Sequence, residues 1–413
     1  MSKICDLISA LCPVGVPFKR LGDIGSFYGG LSGKSKSDFK DGNAGFVTYM
    51  NVYSNIELKT DVEDRVRVGK NEKQNTIQYG DVLFTGSSET PDECGMSSVV
   101  TTHVDRKLYL NSFCFGYRFT EPDLFLPSFT KHLFRSDDLR KQIIKTASGV
   151  TRFNVSKKKM EDVIIPIPPK EVQSEIARIL DRFIELTAEL TAELMARKQQ
   201  YEHYKNTLLP FESNEADWKS LGEICTIVRG ASPRPIKNFI TTDPNGINWI
   251  KIGDVASGEK YITKCAEKIT AEGAKKSRLV KPGDFILSNS MSFGRPYILK
   301  ITGCIHDGWL AISDFENTLS TDYLYHVLTS DYIQKEMKKR ASFGGAVQNL
   351  NADIVRSIEI PVVSIDRQKE IVAILDRFSI LCTDLSYGLP AEIERRKKQY
   401  AYYRDKLLIF KAI

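Results

Sequence analysis

Apolar positions follow two rhythms along the chain, and the longer one occurs twice. From Ile176 onward, positions 176, 180, 183, 187, 190, 194, 197, 201, 204 and 208 alternate in steps of four and three. Eight of these ten are Ile, Leu, Phe or Tyr, with Thr187 and Arg197 the exceptions. A seam recurring every 3.5 residues predicts a long helix that needs another helix to cover it. About 40 residues at ~1.5 Å rise make a rod of about 60 Å. Pro168 and Pro169 stand before it, and proline fits a helix's first turn but not its interior. A second version closes the sequence. Gln173, Glu175, Ile176, Ile179, Leu180, Asp181, Arg182 and Phe183 return as Gln368, Glu370, Ile371, Ile374, Leu375, Asp376, Arg377 and Phe378. Tyr201, Tyr204, Leu208, Leu209 and Phe211 return as Tyr400, Tyr403, Leu407, Leu408 and Phe410. Between the aligned Phe and Tyr landmarks the second copy is four residues longer and contains Ser386-Tyr387-Gly388-Leu389-Pro390. A proline there removes a helical hydrogen bond, so this rod is expected to be interrupted near 386–391. Ser364 or Asp366 is its candidate N-cap.

The shorter rhythm precedes each rod. Residues 18–155 and 218–350 hold short apolar or alternating runs punctuated by Gly, Asn and Asp, which predict strands joined by turns. In the first half the runs are 46–52, 81–84, 98–101 and 113–119; in the second they are 249–252, 284–288, 297–301 and 310–312. Residues 128–146 and 322–340 have helical spacing. Leu21-Gly22-Asp23-Ile24 matches Leu221-Gly222-Glu223-Ile224, an offset of 200 residues that marks tandem duplication of a whole module. The expected fold class is α+β: two similar globular domains separated by a pair of long antiparallel coiled-coil helices, with a pseudo-two-fold internal repeat. The expected limits are 1–157 for the first domain, 158–213 for the first rod, 214–355 for the second domain and 356–413 for the second rod. Two direct repeats can bury both seams by packing their rods antiparallel. The alternative, in which each rod covers only its own domain, needs a shorter helix than this. The residues expected to pack the pair are Ile176, Leu180, Phe183, Leu190, Leu194, Tyr201, Tyr204 and Leu208 against Ile371, Leu375, Phe378, Leu385, Tyr400, Tyr403 and Leu407.

Composition narrows the partner more than the fold. A chain of 413 residues is too long for one core. Its apolar runs are strand-length, which excludes a membrane-spanning helix, and residues 1–16 lack the basic-then-apolar layout of a signal peptide. Eight scattered cysteines without a CxxC argue against zinc and a disulfide framework, and fit a reducing cytoplasm. A net charge of +6 permits an acidic partner such as DNA without demanding one.

Gly29-Gly30-Leu31-Ser32-Gly33-Lys34-Ser35 looks like a phosphate loop, but its outer glycines enclose three residues where a nucleotide-binding loop has four. The matching loop, Arg229-Gly230-Ala231-Ser232-Pro233-Arg234, has no Gly-Lys-Ser. What the two share is small residues with cations, suited to a DNA phosphate. Five histidines have no metal spacing, and Ser87, Ser88 and Ser290 have no His/Asp arrangement nearby. Corresponding places in the two halves carry polar loops: 85–88 with 288–290, and 151–154 with 347–349. Arg, Asn and Gln read base edges, whereas Lys and Ser mostly hold the backbone. The candidate DNA contacts are Lys34, Lys36, Thr85, Ser87, Ser88, Arg152 and Asn154 in the first domain. In the second they are Arg229, Arg234, Lys251, Asn289, Ser290, Arg295, Gln348 and Asn349. For any one of them, a solvated surface is the competing reading.

Over essentially its whole length the sequence resembles the specificity subunit of Type I restriction-modification systems. The residues that carry the likeness are Ile165-Pro166-Ile167-Pro168-Pro169 with Gln173 and Ile176, and Ile360-Pro361 with Gln368 and Ile371. Ile179-Leu180-Asp181-Arg182-Phe183 and its twin add to it, as does the opening Cys12-Pro13-Val14-Gly15-Val16. The interruption at Gly388-Leu389-Pro390 departs from the pattern. The resemblance implies a non-catalytic subunit that binds double-stranded DNA with a bipartite target, one half per domain. It implies two methyltransferase subunits as partners and two restriction subunits in the full complex. S-adenosylmethionine, ATP and Mg belong to those partners, no cofactor or metal to this chain, and the setting is cytoplasmic. The rods act as a ruler, and Glu185, Glu189, Glu193, Arg197 and 395–398 are candidate docking charges. The competing readings are the DNA-reading subunit of a related Type IIB-like enzyme, a self-contained methyltransferase or ATPase, and a coiled-coil scaffold without DNA reading.

Overall fold

The strand that opens each module closes on the strand that leads into its rod. Phe18–Arg20 pairs antiparallel with Ile164–Pro166, and Asp217–Ser220 with Glu359–Val362. Each makes a two-stranded sheet, where a proline without an N–H is tolerated on an edge. One-turn helices, Leu21–Ile24 and Leu221–Ile224, follow the opening strands. A Cβ on Gly22 would sit 3.0 Å from Glu161, and one on Gly222 3.0 Å from Arg356, so the repeated glycine marks the same close approach twice.

The computed structural model describes residues 2–209, 216–255, 259–289, 294–344, 347–384 and 387–413; of residues 2, 3, 5, 342–344 and 347–349 only the backbone is described. The chain divides into two units, residues 1–191 with 392–413, and residues 192–391. In the first, an antiparallel sheet runs in the order Gly25–Gly29, Cys114–Phe119, Val82–Thr85, Ser97–Val99. A second sheet orders Arg65–Val66, Ala44–Val47 and Leu108–Leu110, and a third Ala147–Ser148, Phe153–Val155 and Ser87–Ser88. The second unit has a five-stranded sheet of Thr226–Arg229, Trp309–Ser313, Phe285–Ser288, Pro296–Leu299 and Tyr261–Ile262. Its other five-stranded sheet orders Ile240–Thr241, Glu267–Ile269, Ile247–Ile250, Gly303–Ile305 and Arg278–Val280. Both domains are mixed α+β, as expected. The strand expected over 46–52 stops at Val47, because Thr48 caps a helix, Tyr49–Ser54, by accepting the Asn51 N–H at 3.3 Å. Each helical patch is two helices, Pro127–Leu133 with Asp137–Lys145, and Thr321–Leu328 with Asp331–Arg340.

The first rod is one helix, Lys170–Leu208; the second is two, Ile365–Thr383 and Leu389–Leu407, with Pro390 in the first turn of the latter. Ser364, not Asp366, is the cap: its Oγ accepts the Arg367 N–H at 3.4 Å, while Asp366 pairs with Lys369 at 3.2 Å.

In the first unit Ile176 and Leu180 are fully buried in one core with Phe84, Tyr117 and Phe129, and with Leu407 and Leu408 from the end of the second rod. Phe183 stacks on Tyr403 with ring centres 5.3 Å apart. In the second unit Ile371 and Leu375 are buried with Phe285 and Tyr323, and Tyr201 and Leu208 from the end of the first rod pack against them. Tyr204 faces Phe378 at 5.1 Å. In both units the start of one rod meets the end of the other, which is the antiparallel sense. Leu190 and Leu194 are half-buried, and Leu385 lies outside the described residues. Ile176, Leu180 and Leu407 lie in the core of the first unit and Ile371 and Leu375 in that of the second. These seam residues are thus buried both against a domain and against the end of the other rod, where each contributes about 1.5–3 kcal/mol. A 3.5-residue repeat reports that a stripe is covered, not what covers it.

Candidate nucleic-acid interface

The short sheet of the first unit gathers four of the candidate residues. Asn154 lies opposite Ser87 and Phe153 opposite Ser88, which places Arg152 at the mouth of the strand pair. Arg152 donates from Nε and Nη2 to Ser87 Oγ at 3.2 and 2.9 Å, and its guanidinium lies 5.3 Å from the Phe113 ring centre. Asn154 Nδ2 donates to the Arg152 carbonyl at 3.4 Å. Tyr49, Met50, Tyr53, Glu89, Glu93, Phe113 and Val150 line an open groove around them. Met50, Phe113 and Val150 leave 59%, 56% and 91% of their surface to solvent, an apolar stretch that calls for a partner. Tyr53 OH donates to Glu93 Oε1 at 2.7 Å and Ser88 Oγ to Oε2 at 3.2 Å; with Thr90 they hold that carboxyl below its usual range. Tyr49 OH donates to the Ser87 carbonyl at 2.8 Å. Sequence reasoning missed these tyrosines because it read 46–52 as strand. The available signal was Thr48 as a cap, with tyrosines one helical turn apart behind it.

Two other first-domain candidates, Thr85 and Lys34, have their partners inside the domain. Thr85 is fully buried, and its Oγ accepts the Met96 N–H at 2.9 Å. Lys34 Nζ donates to Glu72 Oε2 and to the Arg67 carbonyl, both at 2.6 Å, and its side chain is 8% exposed. Lys34, joined by Gln74 and the Gly69 N–H, holds the Glu72 carboxyl down to about 2. A Cβ on Gly30 would overlap the Asn111 carbonyl oxygen, and one on Gly230 the His306 carbonyl oxygen. The small residues of these loops therefore admit the domain's own backbone. Lys36 remains exposed at the start of the turn Lys36–Phe39.

In the second unit three of the candidates, Arg229, Arg234 and Asn289, converge on Asp307, which sequence reasoning did not single out. Ser232 Oγ donates to its carboxylate at 2.8 Å, Arg234 pairs with it at 3.5 Å, and Arg229 Nε and Asn289 Nδ2 donate to its carbonyl, each at 3.0 Å. The bond from Ser232 chiefly, with charge from His306 and Arg229, holds the Asp307 carboxyl below the usual range. Asn289 is buried, whereas Arg234 has 84% of its side chain exposed. Lys251 pairs with Glu267, and Arg295 lies 5.5 Å from the Tyr297 ring centre. Gln348 and Asn349 stand in the strand Val347–Asn349, paired with Ser342–Gly344; their side chains, and Ser290 altogether, lie outside the described residues.

The repeated rod residues act at the joint between domain and rod. Gln173 Oε1 accepts the Leu126 N–H at 2.8 Å, and Nε2 donates to the carbonyls of Leu124 and Pro168 at 3.2 and 2.9 Å. Gln368 makes the same three bonds to Ser320, Thr318 and Val363 at 2.7, 2.9 and 2.9 Å. Asp181 takes His132 Nε2 and Lys131 Nζ, each at 2.8 Å, and Asp376 takes His326 Nε2 at 2.8 Å and Lys260 Nζ at 3.9 Å. His132 Nδ1 also bonds Tyr400 OH at 2.9 Å. Burial pushes the His132 imidazole below its ordinary value against the pull of Asp181. Two of the five histidines, His132 and His326, thus clamp rod to domain.

A duplicated domain, each with a rod locked to it by the same glutamine and aspartate, is a specific arrangement. The family model described as the Type I restriction modification DNA specificity domain matches residues 13–197 and 215–395. The chain belongs to this family. Each specificity domain so delimited takes in a globular part and most of the rod after it. A Type I restriction enzyme specificity subunit of Escherichia coli is 39% identical over 273 residues, which are 62% of this chain and 64% of that protein. The chain thus aligns with less than two thirds of that relative. A structure described under complex assembly and conformational transition of the type I R-M system superposes with a TM-score of 0.70 at 18% identity, covering 96% of this chain and 98% of the other. The HsdS subunit of Thermoanaerobacter tengcongensis gives 0.55 at 20% identity, covering 96% and 97%. These two likenesses establish the fold. Among the described residues of this specificity-domain chain, no group of three or more His, Cys, Asp or Glu is placed to hold a metal ion, and no helix is long and apolar enough to cross a membrane.

Proposed function

We propose that the chain is the DNA-specificity subunit of a Type I restriction-modification complex. It catalyses nothing itself: each globular domain reads one half of a bipartite double-stranded target, and partner subunits carry the chemistry. Those partners are two methyltransferase subunits and, in the nuclease form, two restriction subunits, holding S-adenosylmethionine, ATP and Mg. The observation that carries this reading is the doubled specificity domain with different polar surfaces. Arg152, Ser87 and Ser88 sit beside exposed apolar side chains in one half, and Arg229, Arg234 and Asn289 gather around Asp307 in the other. The joint residues are duplicated while the reading surfaces are not, so two unlike half-sites are expected. Half-sites read from one DNA face lie about one helical turn apart or a multiple of it. The test is to express the chain with its methyltransferase subunit and map methylated adenines across the host genome. Exchange of residues 1–157 for the equivalent region of a relative should then change one half-site and leave the other. A change in both, or in neither, would refute the assignment of one half per domain.

A further inference from the structure

Arg152 is exposed as a residue, yet its guanidinium is held on two sides. Ser87 Oγ accepts from Nε and Nη2, and Cζ lies over the Phe113 ring, 5.3 Å from its centre. Nη1 has no hydrogen-bond partner among the described residues, and Arg152 lines the groove, which leaves this end of the fork for a ligand. An arginine on DNA serves either a phosphate or a base edge, and the surroundings separate the two roles. Glu89 and Glu93 line the same groove, and Glu93 is kept as a carboxylate by Tyr53, Thr90 and Ser88. Two carboxylates beside one arginine repel a phosphate backbone. They do not repel base edges, which carry neutral acceptors and amino donors. Met50, Phe113 and Val150 in the same groove suit the apolar faces and methyl groups of bases, not phosphates. A fork fixed in direction, in a groove hostile to phosphate, is what bidentate recognition of guanine O6 and N7 requires.

We propose that Arg152 is a base-reading residue of the first domain and contacts a guanine of its half-site, with Ser87 and Phe113 as its positioning residues. This rests on the DNA-specificity reading above. The experiment uses the full methyltransferase complex carrying the wild-type chain, Arg152→Ala, Arg152→Lys or Ser87→Ala, with genome-wide adenine-methylation mapping and binding to duplexes varied one base pair at a time. The wild type should require G·C at one or more positions of the first half-site. Arg152→Ala and Arg152→Lys should each lose preference at one such pair by about 5- to 150-fold, with the second half-site and the spacer unchanged. Ser87→Ala, which frees the fork without removing it, should weaken discrimination at that same pair. If Arg152→Ala does not assemble, Arg152→Lys and Ser87→Ala decide. An unchanged motif in the variants overturns the proposal. So does an equal loss of affinity on all sequences with a salt slope lower by about one, the signature of a phosphate contact. A wild-type complex that methylates no defined two-part motif would instead sink the specificity reading itself.

Discussion

Single side chains at the joints couple each domain to its rod, and their loss should be felt in stability. Gln173 is 1% exposed and satisfies one backbone N–H and two carbonyls, so Gln173→Leu leaves those groups buried and unpaired. A loss of about 3 kcal/mol is expected in chemical denaturation, and a similar loss for Gln368→Leu, because unsatisfied buried polar groups carry their full desolvation cost. His132 gives a pH dependence. Burial chiefly holds its imidazole below the ordinary 6.5, with Lys131 and Arg404 opposing protonation and Asp181 favouring it. The unfolded chain therefore takes up the proton more readily than the folded one. Stability should be complete above about pH 6.5 and fall as pH drops below it. Asp181 itself is held below 3.8: burial raises it, but the bonds from His132 and Lys131 outweigh that, so its contribution is lost only at lower pH. Melting temperatures from pH 7.5 to 5 should fall for the wild type and fall less steeply for His132→Gln. His306, also depressed by burial, supplies a remaining slope. An identical slope in the variant would rule out His132 as the titrating group.

The rods show what periodicity conveys about an element and what it leaves open. Their existence, their length and the interruption ahead of Pro390 were legible in residue types alone, because 3.5-residue spacing and proline act locally. The assignment of Ile176, Leu180, Ile371 and Leu375 to the cores was not, since a buried stripe looks the same whichever surface covers it. The charges on the outer faces pair within their own helix, as with Arg182 and Glu185 at 3.2 Å or Arg395 and Glu392 at 3.1 Å, and exposed pairs of this kind contribute little. Residues 187–194 repeat Thr-Ala-Glu-Leu, and Thr187 and Thr191 both donate to the carbonyl four residues earlier at 2.7 Å. A third copy adds four residues, about 6 Å of helix. With one turn added to the second rod as well, the methylated motif should keep its half-sites and lengthen its spacer by about one to two base pairs of ~3.4 Å. Altered half-sites with an unaltered spacer would dispose of the ruler.

For the whole molecule, a net charge of +6 is small beside the charge on a DNA target, so affinity should depend on the few cations that meet phosphates. The assembled complex is expected to bind its target less tightly as salt rises, log K falling linearly with log salt. A flat response over 50–200 mM would favour a scaffold without DNA contact. By itself the sequence determined the duplication, the α+β class, the rods and the family likeness, because these rest on patterns that neighbours along the chain carry. Only the tertiary structure decided which polar residues meet. It sent Lys34 to Glu72 and Thr85 into the core, and it gathered Ser87, Arg152 and Phe113 from separate strands and loops into one groove. It also set Asp307 at the centre of the second cluster and matched Gln173 to Gln368 bond for bond. The physical reason is range: spacing and propensity act over a few residues, whereas a site is made where backbone hydrogen bonds bring distant strands into register.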